Sequence, residues 1–384
     1  MYTAKIFLTG LILLLSGMQV EITELPDPFL MNNGSRVRNI NDWETRRKEL
    51  KEIIQLYEYG HIAAALPVTV VKISGDSVIK NENGTLNKRI VDLKTGNIDS
   101  KAFTINLFIP VKGAGPFPVI IVGDLCWGSL QKRLTAEGLT SLVSRGYIIA
   151  EFDRTKFSPD KNIRNNKTDQ IFDTGAIIEW AWGYQRAIDY LLTLKIIDKS
   201  KIAITGWSRG GKAALLAGAF DERIALVAPN CSGTSGSGPL RFIDSGGEKL
   251  DDIVTRFPYW FCSKFNKFKG EERNRLPFDQ HSLISLVAPR AYLSTNGLND
   301  KWANPLGTAQ AHMAAKEVFT ALGVQDKIGI FYINSGHDHN IDKWIALLDF
   351  ADKVFFGKPS SYDYNSIPFP DIKKAYSWSA PILK

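Results

Sequence analysis

A chain of 384 residues with 44% hydrophobic and 23% charged side chains has the balance of a globular enzyme, not of a low-complexity or repeat protein. Its net charge of +7 permits a polyanionic partner, but no nucleic-acid motif and no long Lys/Arg run accompanies it, so nucleic acid is not expected as a partner. Three cysteines (Cys126, Cys231 and Cys262) allow at most one disulfide and lack zinc-site spacing, which excludes a disulfide framework or a zinc centre as the organising device.

In chain order, residues 1–19 carry Lys5, then the apolar run 6–15, then Ser16-Gly17. A short positive region, an apolar stretch of this length and small residues after it describe a secretory signal peptide. The run is too short to span a bilayer comfortably, so export to a periplasm or the medium is expected, without stable membrane insertion. Residues 20–384 then form one catalytic domain. Asp42 is positioned to cap a helix over 43–59, with Arg46, Arg47 and Lys48 on its outer side and Gly60 ending it. Alternation over 68–73, 88–93 and 103–109 predicts antiparallel strands. The apolar run 118–122 predicts a strand buried on both faces.

A helix over 134–145 and a buried strand over 147–152 follow, then a polar surface loop over 154–173. Helical periodicity covers 176–194. Strands are expected at 201–205, 224–228, 290–294 and 328–333, with helices at 211–220, 313–322 and 342–355. This alternation argues for a mostly parallel sheet with helices on both faces. The irregular stretch 233–277 reads as an insertion above the sheet that shapes a substrate site.

Gly206-Trp207-Ser208-Arg209-Gly210 is the most informative segment. It follows a buried strand and precedes a helix, the context a nucleophile elbow requires. Small residues on either side permit the strained turn, and the helix N-terminus offers amides to a developing oxyanion. Ser208 is therefore the expected nucleophile, and the α/β-hydrolase fold, a three-layer αβα sandwich, the expected architecture. A serine needs a base, and in this fold the acid and then the histidine follow it in the chain. Two histidines, His337 and His339, sit just past the last strand; spacing does not choose between them. Asp300, after the penultimate strand, is the candidate to orient the imidazole. His61 and His281 read as structural.

With these residues placed, the chain resembles carbohydrate esterase family 15, the glucuronoyl esterases. The matching blocks, in order, are Asp42-Trp43 with Arg46-Arg47, Tyr57-Glu58-Tyr59-Gly60 and Trp180-Ala181-Trp182-Gly183 with Arg186, then Gly206 through Lys212, Phe257-Pro258-Tyr259-Trp260-Phe261 and Leu276 through His281. The resemblance implies hydrolysis of (4-O-methyl-)glucuronic acid esters, as in the glucuronoxylan–lignin links of plant cell walls, with no metal or cofactor. A uronic-acid polymer also suits the positive charge. It implies an oxyanion role for Arg209, since a cation stabilises that oxygen more than a neutral donor can. It further implies sugar-binding roles for Lys212 and Glu248, and a platform role for Trp302.

Registration on fungal members, whose catalytic His precedes a cysteine, aligns Asn340 with that cysteine and so selects His339 as the base. Where fungal members carry their acid this chain has Cys231, and a thiol cannot take over a carboxylate's role; bacterial relatives use the later loop, which again indicates Asp300. Two other readings remain: an acetyl-xylan or other carbohydrate esterase on the same fold, and a catalytically impaired carbohydrate-binding protein.

Overall fold

The structure, a computed structural model, describes residues 24–96, 101–162 and 174–383. The expected signal segment 1–19 lies outside the described residues, as does 163–173 of the expected polar loop. Among the described residues no helix is long and apolar enough to cross a membrane.

The chain begins with α1 (Ile40–Ile54), which continues as one wider turn over Gln55–Tyr59. Its cap is Asn39, whose side chain accepts from the Asp42 amide, in place of the expected Asp42. Arg46 and Arg47 are buried, contrary to expectation. Arg46 donates to the Pro28 carbonyl and Arg47 to that of Leu286, so the helix uses them to bind the chain on either side. The antiparallel strands β1 (Val68–Asn81), β2 (Gly84–Thr95) and β3 (Ala102–Pro110) are longer than hydrophobic alternation indicated. Pairing between β1 and β2 runs to the tight turn at Asn81–Gly84, so polar residues there are held in strand by their partners.

There follow β4 (Phe117–Val122), α2 (Leu130–Arg133), α3 (Thr135–Ser144), β5 (Ile148–Phe152), α4 (Ala176–Leu191), β6 (Ile197–Trp207) and α5 (Arg209–Phe220). After β7 (Leu226–Asn230) come α6 (Leu250–Arg256), α7 (Gln280–Ser285), β8 (Ala291–Gly297), α8 (Pro305–Ala321), β9 (Ile328–Ile333) and α9 (Ile341–Phe356). Helix α8 starts eight residues before the expected 313. Pro305 occupies its first turn, and the Asn304 side chain accepts from the Gly307 amide.

One sheet runs β1-β2-β3-β5-β4-β6-β7-β8-β9, antiparallel up to β5 and parallel from β5 to β9. This is the α/β-hydrolase fold. Strand alternation sorts the core into two layers. Val119 and Ile121 of β4 join α4, α5, α7 and α8 on one face, while Ile120 and Val122 join α3 and α9 on the other. Every crossover leaves a loop at the carboxyl ends of the parallel strands, where open α/β sheets bind ligands.

The first part of the stretch 233–277 runs through the interior. Thr234, Ser235, Ser237 and Leu240 are fully buried. Irregular backbone is tolerated there because buried side chains satisfy it. The Lys212 ammonium takes the carbonyls of Ser232 and Thr234. Arg241 takes those of Asn274, Leu276 and Phe278 and pairs with Asp279, whose carboxylate also accepts from the Leu240 amide.

Ile121 sits at the centre of this arrangement with no exposed surface. Ile121→Ala is expected to cost about 2–5 kcal/mol, since the flanking strands cannot close the cavity; urea unfolding of the two proteins checks this.

Candidate active site

The carboxyl end of β6 turns into α5 at Ser208, whose φ of 55° and ψ of −124° are strained for a residue with a side chain. The turn fits only because its neighbours are glycines. A Cβ on Gly206 would lie 2.3 Å from the Gly210 carbonyl oxygen, and one on Gly210 would lie 2.0 Å from Asp124 Oδ1. The Ser208 amide donates to the Asn230 carbonyl at 2.9 Å, tying the turn to the end of β7. The Gly211 and Lys212 amides donate to the Ser208 carbonyl at 2.9 and 3.1 Å, and the positive end of the α5 dipole lies at Ser208, where it would favour an oxyanion.

Beneath the turn lies a buried ion pair. Asp124 accepts from the Trp207 amide at 2.7 Å and from Arg154 at 2.6 Å, and neither charged side chain is exposed. Burial pushes the Asp124 carboxyl up, against the pull of Arg154 and Arg133. The Arg154 guanidinium also lies 4.2 Å from the Trp127 ring centre and 5.0 Å from that of Trp180. Arg154, expected at the start of a surface loop, is thus core, and polarity alone gave no hint of its partner.

The histidine expectation is corrected. His337, not His339, meets Asp300: His337 Nδ1 lies 2.6 Å from Asp300 Oδ2. His337 is exposed and its ring lies 5.3 Å from that of Trp207, next to the nucleophile. His339 is buried, stacks on Trp344 at 4.9 Å, and has no hydrogen-bond partner for either ring nitrogen among the described residues. Burial, with Arg133 and Lys343 nearby, holds its basicity well below the usual imidazole range. The registration erred because Asn340, aligned with a cysteine, instead caps α9 by accepting from the Lys343 amide.

Asp300 is buried, and its other oxygen accepts from the Ala303 amide at 3.2 Å. That bond caps the short turn Lys301–Ala303, which carries Trp302. Cys231 stands beside this pair: its sulfur, an Asp300 oxygen and a His337 nitrogen all lie within 4.8 Å of one another. Burial pushes the Cys231 thiol up to about 11 in spite of nearby Lys343, so it stays protonated and cannot serve as the acid.

Arg209 begins α5 and reaches Asp160 Oδ2 at 3.0 Å, with its guanidinium 4.8 Å from the Phe257 ring centre and 4.6 Å from that of Trp260. Asp160, which sequence reasoning left in a polar loop, also accepts from Tyr259 and from the Trp260 indole, each at 3.0 Å. Lys212 is fully enclosed: its three N–H donors meet Ser232 O, Thr234 O and Glu248 Oε2. That leaves no donor for a sugar hydroxyl, contrary to the implied role, and makes Lys212 the residue that orients Glu248. The Glu248 amide donates to the Trp302 carbonyl at 2.9 Å, and the Trp302 ring is 39% exposed with Arg256 over it at 5.3 Å. The main chains of Glu248 and Trp302 are therefore joined beside the Asp300 turn.

Two predictions follow from this packing. Gly210→Ala forces a methyl into Asp124 and is expected to cost about 1–3 kcal/mol and to abolish labelling of Ser208 by a serine-directed phosphonate; both are measured on the purified variant. The second concerns acid. Burial lowers His281 to about 4, where its ring meets the Pro26 carbonyl, and His312 to about 3, alongside His339. Above the free-ring value of 6.5 both folded and unfolded chains hold neutral rings, so these groups do not affect stability. Below it only the unfolded chain takes up protons, until the lowered folded value is reached. Each ring should therefore take about 1.4 kcal/mol per pH unit from stability from there toward pH 4, against the opposite contribution of Glu58, which burial pushes up to about 8; urea unfolding of His281→Phe and His312→Phe beside wild type should show a smaller loss on acidification in each variant.

Comparisons with known proteins give the chain its family. The family described as fungal glucuronyl esterase matches residues 93–323. A 4-O-methyl-glucuronoyl methylesterase of Phanerochaete carnosa is 31% identical over 356 residues, spanning 88% of this chain and 82% of that protein. Among solved structures, a family 15 glucuronoyl esterase from Caldicellulosiruptor kristjansonii superposes with a TM-score of 0.79 at 30% identity, covering 93% of this chain and 97% of that one. A family 15 esterase from a marine bacterial metagenome, described as promiscuous, superposes at 0.75 with 29% identity, covering 85% and 96%. The elbow at Ser208 thus sits in a chain that belongs to carbohydrate esterase family 15, the glucuronoyl esterases, and is a carboxylic ester hydrolase.

Proposed function

We propose that the protein hydrolyses esters of (4-O-methyl-)glucuronic acid in plant cell-wall glucuronoxylan through Ser208, His337 and Asp300, without a cofactor. The observation that carries the residue assignment is the 2.6 Å contact of His337 with Asp300 at the strand ends that present Ser208. With Nδ1 turned to Asp300, the ring's other nitrogen is the one left to act on the nucleophile. It takes the Ser208 proton as Oγ attacks the uronate carbonyl, and Asp300 offsets the charge of the imidazolium that results. The positive end of the α5 dipole and the guanidinium of Arg209 stabilise the tetrahedral oxyanion. One N–H of Arg209 is held by Asp160, and the group has five. The imidazolium then protonates the departing alcohol, leaving a glucuronoyl ester on Ser208. Water, deprotonated by His337, attacks that ester and releases the acid and the free serine.

Glu248 supplies an acceptor for sugar hydroxyls and Trp302 a face for the uronate ring. The 1–19 segment, read as a signal peptide, supports work outside the cytoplasm, where a wall polymer is within reach. A wider ester range is the second reading, favoured by the promiscuous relative. Hydrolysis of methyl glucuronate set against acetylated xylan separates the two, and a preference for acetyl groups would sink the uronate assignment.

Ser208→Ala and His337→Ala are each expected to lower kcat at least about a thousandfold, and Asp300→Asn about 10²–10⁴-fold. His339→Ala and Cys231→Ala should cost less than about tenfold while the protein stays folded. Steady-state kinetics on one glucuronate ester, with circular dichroism of each variant, decides this; a His339 variant less active than its His337 counterpart reverses the assignment. Absence of any phosphonate reaction at Ser208 in the wild type would favour a binding protein.

A further inference from the structure

Beneath the His337 turn lies a buried charge that the reaction, as written, does not use. Lys343 stands in the first turn of α9 with no exposed side-chain surface. Its ammonium donates to the Asp338 carbonyl at 2.9 Å and to Asp338 Oδ1 at 2.8 Å, with the Gly336 carbonyl at 3.5 Å. These acceptors flank His337 on both sides. The same ammonium lies 3.2 Å from the Cys231 sulfur at the end of β7, and that sulfur is within 4.8 Å of the Asp300–His337 pair. The Asp338 carbonyl takes a second donor, the Asn230 side chain, at 2.7 Å. Asn230 in turn receives the Ser208 amide on its own carbonyl. A continuous set of hydrogen bonds therefore runs from Lys343 through Asp338 and Asn230 to the nucleophile.

Burying an ammonium carries a desolvation cost, and a methionine of similar length would fill the same space without it. What the methionine would not do is gather main-chain carbonyls from both sides of an exposed histidine. Asp300, the Asn230 side chain and this clamp hold the turn against the sheet, with the Asn299 amide on the Ser335 carbonyl at its start. We propose that Lys343 is a positioning residue for ester hydrolysis, a buried cation that clamps residues 336–338 onto the end of β7 and so keeps the His337 imidazole aligned between Asp300 and Ser208. The inference rests on His337 being the base. It gives Cys231 a part as well: a neutral acceptor for the third ammonium proton.

The test compares Lys343→Met and Lys343→Arg with wild type in kcat and KM on a methyl glucuronate ester, alongside thermal unfolding. Misplacing a catalytic group by about 1 Å costs on the order of a hundredfold, so Lys343→Met should lower kcat by about tenfold to a hundredfold with KM within about twofold. Lys343→Arg, which keeps the donors, should restore part of kcat. A folded Lys343→Met with wild-type kcat, or one in which kcat loss is matched by a rise in KM, overturns the inference. Should that variant fail to fold, Asp338→Asn decides: it weakens one acceptor and leaves the ammonium in place. A kcat about threefold lower at unchanged KM then supports the clamp, and an unchanged kcat refutes it. His337→Ala separates the two readings. If it stays active, the base assignment has failed; if it is inactive while Lys343→Met is normal, only the clamp has.

Discussion

The amide of Trp207 and the guanidinium of Arg154 meet on one buried carboxylate, Asp124, and the active site is built outward from that point. A serine at φ 55° is held against its own backbone preference, so something rigid has to oppose the relaxation. Asp124 does so from below, because its oxygens are fixed by a charge that is itself wedged between Trp127 and Trp180. The close approach of Gly210 to the same carboxylate leaves the turn no room to shift. A buried ion pair is poor evidence of stability, but breaking this one would leave a charge without water or partner directly under the nucleophile.

The same device recurs at the rim of the site. Lys212 holds Glu248, Asp300 holds both His337 and the turn that carries Trp302, and Lys343 holds the main chain around His337. Each places a buried charge behind a neighbouring side chain or turn. The exposed members, His337 and Trp302, sit on short turns that could otherwise move, while the anchoring atoms are enclosed. Rigid support behind a few exposed groups is what transition-state stabilisation needs, since donors that are already oriented cost nothing to reorganise during the reaction. It also helps an irregular stretch such as 233–240 to run through the interior: Lys212 takes the Thr234 carbonyl, and the Tyr59 hydroxyl takes that of Ser235.

Much of this was legible in the residues. Ser208 announced itself through two glycines between a strand and a helix, and Asp300 through its place after the penultimate strand. The sheet's parallel half followed from runs such as 118–122. The choice between His337 and His339 was not legible, because the two differ by one turn of loop and by which way the chain faces as it leaves β9. Trp344, which stacks on His339, and Asp300, which meets His337, come from opposite sides in sequence and exclude each other's histidine only in three dimensions. Arg46, Arg47, Arg154 and Lys343 were likewise misjudged or passed over, since a charged residue with a distant partner looks like any solvated one.

The sequence by itself determined the glycine-flanked turn at Ser208, the alternation of strands and helices in the parallel half of the sheet, and the family, because these rest on local turn chemistry, periodicity and short matched blocks. Tertiary structure alone decided which histidine meets the acid, that Lys212 is spent on Glu248 and two carbonyls, and that Cys231 lies against Lys343 as a protonated thiol. The reason is the same in each case. Pairings between charges and dipoles far beyond one turn of chain, from 36 residues for Lys212 with Glu248 and 37 for His337 with Asp300 to 112 for Lys343 with Cys231, leave no mark on local sequence and are settled by how the strand ends converge.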